Sequence, residues 1–92
     1  GSGKMDETTF REKLQQDGYG DPAIKEMAPN HTEDTHTHDF GASILVLDGE
    51  ISVTMEDGVV TCRAGDTFAL DANMPHAEQI GDEGVRFLVG RK

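Results

Sequence analysis

Four histidines, His31, His36, His38 and His76, carry most of the chemistry this chain could perform. His36 and His38 flank Thr37, so on an extended segment both imidazoles project from one face. Two imidazoles held side by side on a strand form half of a transition-metal site. His76 follows Pro75, whose fixed backbone restricts the residues around it and can present a third imidazole from a neighbouring strand. Taken alone, His-x-His describes equally well a solvated pair in a polar loop. His31 reads as a surface residue.

Two other residue types could join that chemistry. Glu78 lies two positions after His76, so alternation puts its carboxylate on the same face, as a hydrogen-bond acceptor, as a base or as a plain outer-surface carboxylate. Cys62 is the only cysteine, which excludes an intramolecular disulfide and reads as a small core residue. A lone thiol fits a reducing compartment, and the cytoplasm is the expected location. Phe40, Phe68, Phe87, Met55 and Met74 are candidates for an apolar lining, and Arg86 for contact with an anion, though a surface place suits it better.

A small β protein must position these groups. The 92 residues allow one domain with one modest core. Adding the 11 glycines to the 35% hydrophobic set brings it near the globular norm of roughly 45–50%, which excludes wholesale disorder. Gly1-Ser2-Gly3-Lys4 before Met5 reads as an expression scar, leaving residues 5–92 as the domain. Eight basic against 18 acidic residues give a net charge of −10, which argues against nucleic-acid and anionic-membrane partners. No apolar run is long enough to span a bilayer.

Thr9–Gln16 is predicted to be a short helix, with Thr9 and Glu12 at capping-box spacing and Phe10 and Leu14 on one face. Strands are predicted at Ala23–Met27, Ser43–Leu47, Ile51–Met55, Val59–Arg63, Thr67–Leu70, Pro75–Ile80 and Val85–Val89. Asp48-Gly49, Asp57-Gly58, Ala64–Asp66 and Gly81–Gly84 supply the turns. Pro29–Thr35 reads as a long polar loop. Many short strands in so small a chain point to a jelly roll.

The histidine surroundings resemble the cupin family. Its first motif sets a glycine, a His-x-His pair, a glutamate and a second glycine at spacings that Asn30, His36-Thr37-His38, Ala42 and Gly49 reproduce. Its second motif sets a glycine, a Pro-x-Gly turn, a histidine and an asparagine; Gly65, Asp71-Ala72-Asn73, His76 and Ile80 hold those places. Fifteen residues (50–64) separate the motifs. The resemblance implies a small double-stranded β-helix (jelly-roll) barrel of the RmlC-like kind with a divalent metal in its mouth, to which the predicted short N-terminal helix is added.

Departures from the pattern shape the expected chemistry. Asn30 and Asn73 replace glycines, and Asn is the residue that best tolerates the positive φ such turns use. Ala42 stands where the family supplies its glutamate ligand, leaving His36, His38 and His76 as the implied metal ligands and one coordination position open to water or an exogenous ligand. Cupins with three-histidine centres suggest Fe(II), with Zn, Cu, Ni or Mn as other options. They also suggest oxygen-dependent, dioxygenase-type oxidation of a small anionic or enolisable molecule. The alternative is a non-catalytic cupin that binds or senses a metal or small ligand. A homodimer is expected, because small open-edged barrels commonly cover their edges with a second copy.

Overall fold

The computed structural model describes residues 4–92; Gly1, Ser2 and Gly3 of the presumed scar lie outside them. Lys4, the fourth residue of that stretch, takes part in the structure: its ammonium pairs with Asp66 at 2.8 Å. One helix and six strands follow in the order α1 (Glu7–Gln16), β1 (Ala23–Met27), β2 (Thr32–His36), β3 (Ala42–Met55), β4 (Gly58–Arg63), β5 (Thr67–Leu70) and β6 (His76–Arg91). No helix among these residues is long and apolar enough to cross a membrane.

Helix α1 begins two residues before the predicted Thr9. Asp6 caps it instead, accepting a hydrogen bond from the Thr9 backbone N–H at 2.7 Å. A carboxylate at this position satisfies an orphan donor and complements the positive end of the helix dipole, so it prevails over the Thr9–Glu12 box. Phe10 and Leu14 are buried against Leu45 and Leu88 on one side of the sheet. Burial of side chains of this size contributes roughly 1.5–3 kcal/mol each.

Strands β3 and β6 are long, 14 and 16 residues, and pair antiparallel from Ala42↔Arg91 to Thr54↔Ala77. Each absorbs two of the predicted short strands. Asp48-Gly49 and Gly81–Gly84, predicted as turns, lie inside them as bulges where the register shifts. The inward residues change parity there: Ile44 and Val46 give way to Ile51 and Val53, and Ile80 gives way to Val85 and Phe87. An extra residue in a ladder produces such a switch, with added twist. Gly49 (φ 82°) admits no side chain, because a Cβ there would lie 2.0 Å from the Gly84 carbonyl oxygen.

The long pair carries different neighbours at its two ends. Near one end β6 pairs with β1 and β3 with β5; near the other, β6 pairs with β2 and β3 with β4. Residues from both ends (Ile44, Phe87, Ile51, Cys62 and Ile80) pack into one cluster, so the bulged sheet closes over itself around a core. The β3–β4 hairpin turns at Glu56-Asp57, one residue before the predicted dipeptide.

Strand β2 corrects the long-loop reading of Pro29–Thr35. Its residues show no apolar alternation, yet Thr32 pairs with Gln79 and Glu33 with Glu78. Backbone hydrogen bonds to β6 make it a strand, and part of its inner face lines a cavity rather than an oily core.

Candidate metal centre

The cavity holds about 480 Å³ and opens between the two halves of the barrel. His36 and His76 are direct cross-strand partners on β2 and β6, which puts their side chains on one face. His38 lies just past the end of β2 rather than on a strand. Its place is fixed from outside, because Asn73 donates its backbone N–H to the His38 carbonyl at 2.7 Å. Asn73 adopts φ 64°, the conformation expected of a glycine substitute, and Asn30 does the same at φ 61°. Asn30 in turn donates to the Gly81 carbonyl and Ile80 to that of His31. The two motifs are thus clipped together by the backbone around their asparagines.

The three imidazoles converge. Ring centroids lie 4.4 Å apart for His36 and His76, 4.9 Å for His38 and His76, and 6.1 Å for His36 and His38. One potential ligand atom from each lies within 4.8 Å of the other two. In every ring Nδ1 meets a backbone carbonyl: Asp34 for His36 at 2.7 Å, Phe40 for His38 at 3.1 Å and Met74 for His76 at 2.8 Å. A carbonyl only accepts, so Nδ1 carries the proton and Nε2 keeps its lone pair. Outer hydrogen bonds of this kind orient metal-binding histidines and fix their tautomer. His76 is only 2% exposed, a buried polar group with its ring pinned in place. The residues present therefore fit a divalent transition ion held by three Nε2 atoms.

The remaining sequence candidates separate cleanly. Glu78 joins the site, its Oε2 lying 3.3 Å from His76 Nε2 and 3.8 Å from His36 Nε2. His31 stands at the rim, paired with Glu33. Ala42 lines the cavity, as do Phe40, Phe68 and Phe87. Met55 packs on the core and Met74 stays exposed, so neither forms part of that lining. Arg86 is exposed and faces a separate surface depression with Asp48 and Glu26, away from the histidines. Cys62 is buried in the core, and burial, reinforced by the nearby Asp66 carboxylate, pushes its thiol upward, the opposite of an activated nucleophile.

Arg91 was not legible in the sequence as a site residue. It stands opposite Ala42 in the β3–β6 register and lines the same cavity. Its guanidinium sits 4.7 Å above the Phe40 ring, and Phe40 stacks on His38 at 4.3 Å with the rings 7° from parallel. Lys25 of β1 reaches the cavity too. Among the described residues, neither cation has a carboxylate within ion-pair distance.

The cupin domain family matches residues 23–90, and the chain belongs to that family. Among curated proteins, none matches the sequence. Solved structures share the fold at low identity. The cupin domain of Schizosaccharomyces pombe Cnp3 aligns with TM-score 0.67 and 18% identity, over 76% of this chain and 53% of that one. The DMSP lyase DddQ from Ruegeria pomeroyi DSS-3 gives 0.69 and 22%, over 77% and 36%. The polyketide cyclase RemF from Streptomyces resistomycificus gives 0.65 and 23%, over 84% and 58%. The chain thus spans about half of Cnp3's chain and less than two thirds of the other two.

Proposed function

We propose that this cupin binds one divalent transition ion through His36, His38 and His76 and acts there on a small anionic or enolisable molecule, by dioxygenase-type chemistry. The observation that carries the metal reading is the convergence of three imidazoles whose ligand atoms lie within 4.8 Å of one another, each ring held by an Nδ1–H···O=C hydrogen bond. Imidazole donors suit Fe(II), and also Zn, Cu, Ni or Mn. A redox-active ion bound there would orient an oxygen-donor substrate and exchange electrons with dioxygen.

The chain's own residues support that substrate class. Arg91 and Lys25 bring to the cavity two cations that have no carboxylate partner among the described residues. Phe40, Phe68 and Phe87 supply apolar walls that exclude water around a small organic body. Ala42 leaves free the side of the site where a longer residue would stand. An anion entering there meets the Arg91 guanidinium, whose planar fork matches a carboxylate. The lone unreactive thiol suits a reducing compartment, and we place the protein in the cytoplasm.

The second reading, a non-catalytic metal or small-ligand cupin, draws support from the scarcity of proton-transfer groups: among the described residues, Glu78 alone has a carboxylate within 4 Å of the three imidazoles. One experiment separates the two. Metal content is measured on protein purified without an affinity column, and oxygen uptake then follows against diketones and thiols. Stoichiometric metal with turnover supports the enzyme. Metal without turnover supports the binding module, and absence of metal overturns the enzyme and leaves a small-ligand module.

A further inference from the structure

The Glu78 carboxylate stands against the ligand nitrogens themselves, at 3.3 Å from His76 Nε2 and 3.8 Å from His36 Nε2. With each Nδ1 proton committed to a backbone carbonyl, the two Nε2 atoms of neutral rings are acceptors. An ionised carboxylate oxygen is also an acceptor. Three lone-pair atoms therefore converge with no donor between them. Glu33, the cross-strand partner of Glu78, adds a second negative charge to the same face, and like charges directly opposite are destabilising. A divalent cation relieves them all.

The distances suit an ion as well. Two ligands about 2.1 Å from one metal and cis to each other lie roughly 3.0–3.4 Å apart. The His76–Glu78 separation falls in that range. The 3.8 Å His36 separation exceeds it and Glu78 stands outside the three-histidine set whose ligand atoms all lie within 4.8 Å of one another, so ligation requires its side chain to turn inward. His76, almost fully buried, cannot turn its Nε2 to solvent instead.

We propose that Glu78 is the fourth protein ligand of the metal, so that the carboxylate missing at Ala42 is supplied from β6. This rests on reading the three histidines as a metal centre. The relocation has a geometric consequence. A carboxylate arriving from Glu78 occupies the side of the ion next to β2 and β6, and the side bounded by Ala42, Phe40 and Arg91 stays open for an exogenous carboxylate. A donor set of three imidazoles and one carboxylate also favours Fe(II), Mn(II) or Zn(II) over soft Cu(I).

The test uses metal-free parent, Glu78→Gln and His76→Ala proteins. Zn(II) affinity is measured by competition with a chromophoric chelator, Co(II) coordination by visible absorption, and folding by circular dichroism. Replacing partners that only orient a ligand typically weakens binding about 10–100-fold, and loss of a ligand should cost at least as much. We expect E78Q to fold, to bind Zn(II) at least tenfold more weakly, and to show a changed Co(II) ligand-field spectrum. Parent-like Zn(II) affinity in E78Q, with H76A impaired, overturns the Glu78 assignment and leaves the three-histidine centre standing. Weaker Zn(II) binding with an unaltered Co(II) spectrum also overturns it, because Glu78 then acts only through the imidazoles. No metal uptake by the parent overturns both readings.

Discussion

At the scale of single residues, proton positions in the three rings are fixed before any ligand arrives. The carbonyls of Asp34, Phe40 and Met74 hold the Nδ1 protons, so the three rings present Nε2 without a tautomeric or rotational choice to make on binding. Each ring is therefore needed. Single Ala replacements of His36, His38 or His76 should each lower metal content sharply, measured by elemental analysis after dialysis. His31→Ala should leave it near the parent value, because His31 faces Glu33 at the rim. Full metal in all three single variants would refute the assignment. Acid provides an independent check: imidazole must be neutral to coordinate, so protons displace the metal as pH falls. Metal retained at strongly acid pH by a still-folded protein would contradict ligation by histidine.

At the scale of elements, two glycines decide the shape. Gly49 and Gly84 both adopt positive φ, and they meet where β3 and β6 bulge. Gly49→Ala would place a methyl group against the Gly84 backbone, which cannot move without disturbing both long strands. We expect a loss of several °C in Tm, since about 1 kcal/mol shifts a domain of this size by roughly 4–8 °C. An unchanged melting curve would show that the bulge tolerates a side chain. Helix α1 offers a pH-dependent counterpart. The hydrogen bonds from Thr9 hold the Asp6 carboxyl below its ordinary value of 3.8. The cap's contribution is therefore complete above pH 3.8 and is lost as pH falls through the lowered value. The Thr9 amide resonance should report that loss, and Asp6→Ala should abolish the titration. These elements also mark what the chain discloses. Asn30, Asn73 and the histidine spacing were readable because each answers to a local rule, a tolerated φ or a side-chain period. Asp48-Gly49 was misread because a hairpin turn and a G1-type bulge both need glycine in the left-handed region. Strand β2 was invisible because part of its inner face lines a polar site, so no apolar alternation marks it. Glu78 was placed on the correct face by alternation alone, whereas Arg91 became a site residue only once β6 was known to extend unbroken alongside Ala42.

At the scale of the whole molecule, charge and open edges pull in different directions. A net charge of −10 on a 92-residue chain repels a second copy but draws cations toward the barrel. The edges favour association. In the strand order β1-β6-β3-β4, the outer strands β1 and β4 each leave one side unpaired. Edge strands are natural templates for pairing with another chain unless charge or a bulge blocks them. Strand β4 carries no acidic residue and ends in Arg63, and its Val59 and Val60 are 62% and 38% exposed. Strand β1 exposes Ile24 but also carries Glu26 and Lys25. Two strongly acidic copies can meet along β4 with least repulsion, so we expect a two-fold dimer there. Light scattering at micromolar concentration should give twice the 10.0 kDa chain mass. Val59→Lys, which places a charge on the edge, should yield the monomer while metal binding is kept, because β4 contributes no residue to the site. A monomeric parent would refute the dimer. A Val59→Lys protein that still dimerises would move the interface to another edge, that of β1, β2 or β5.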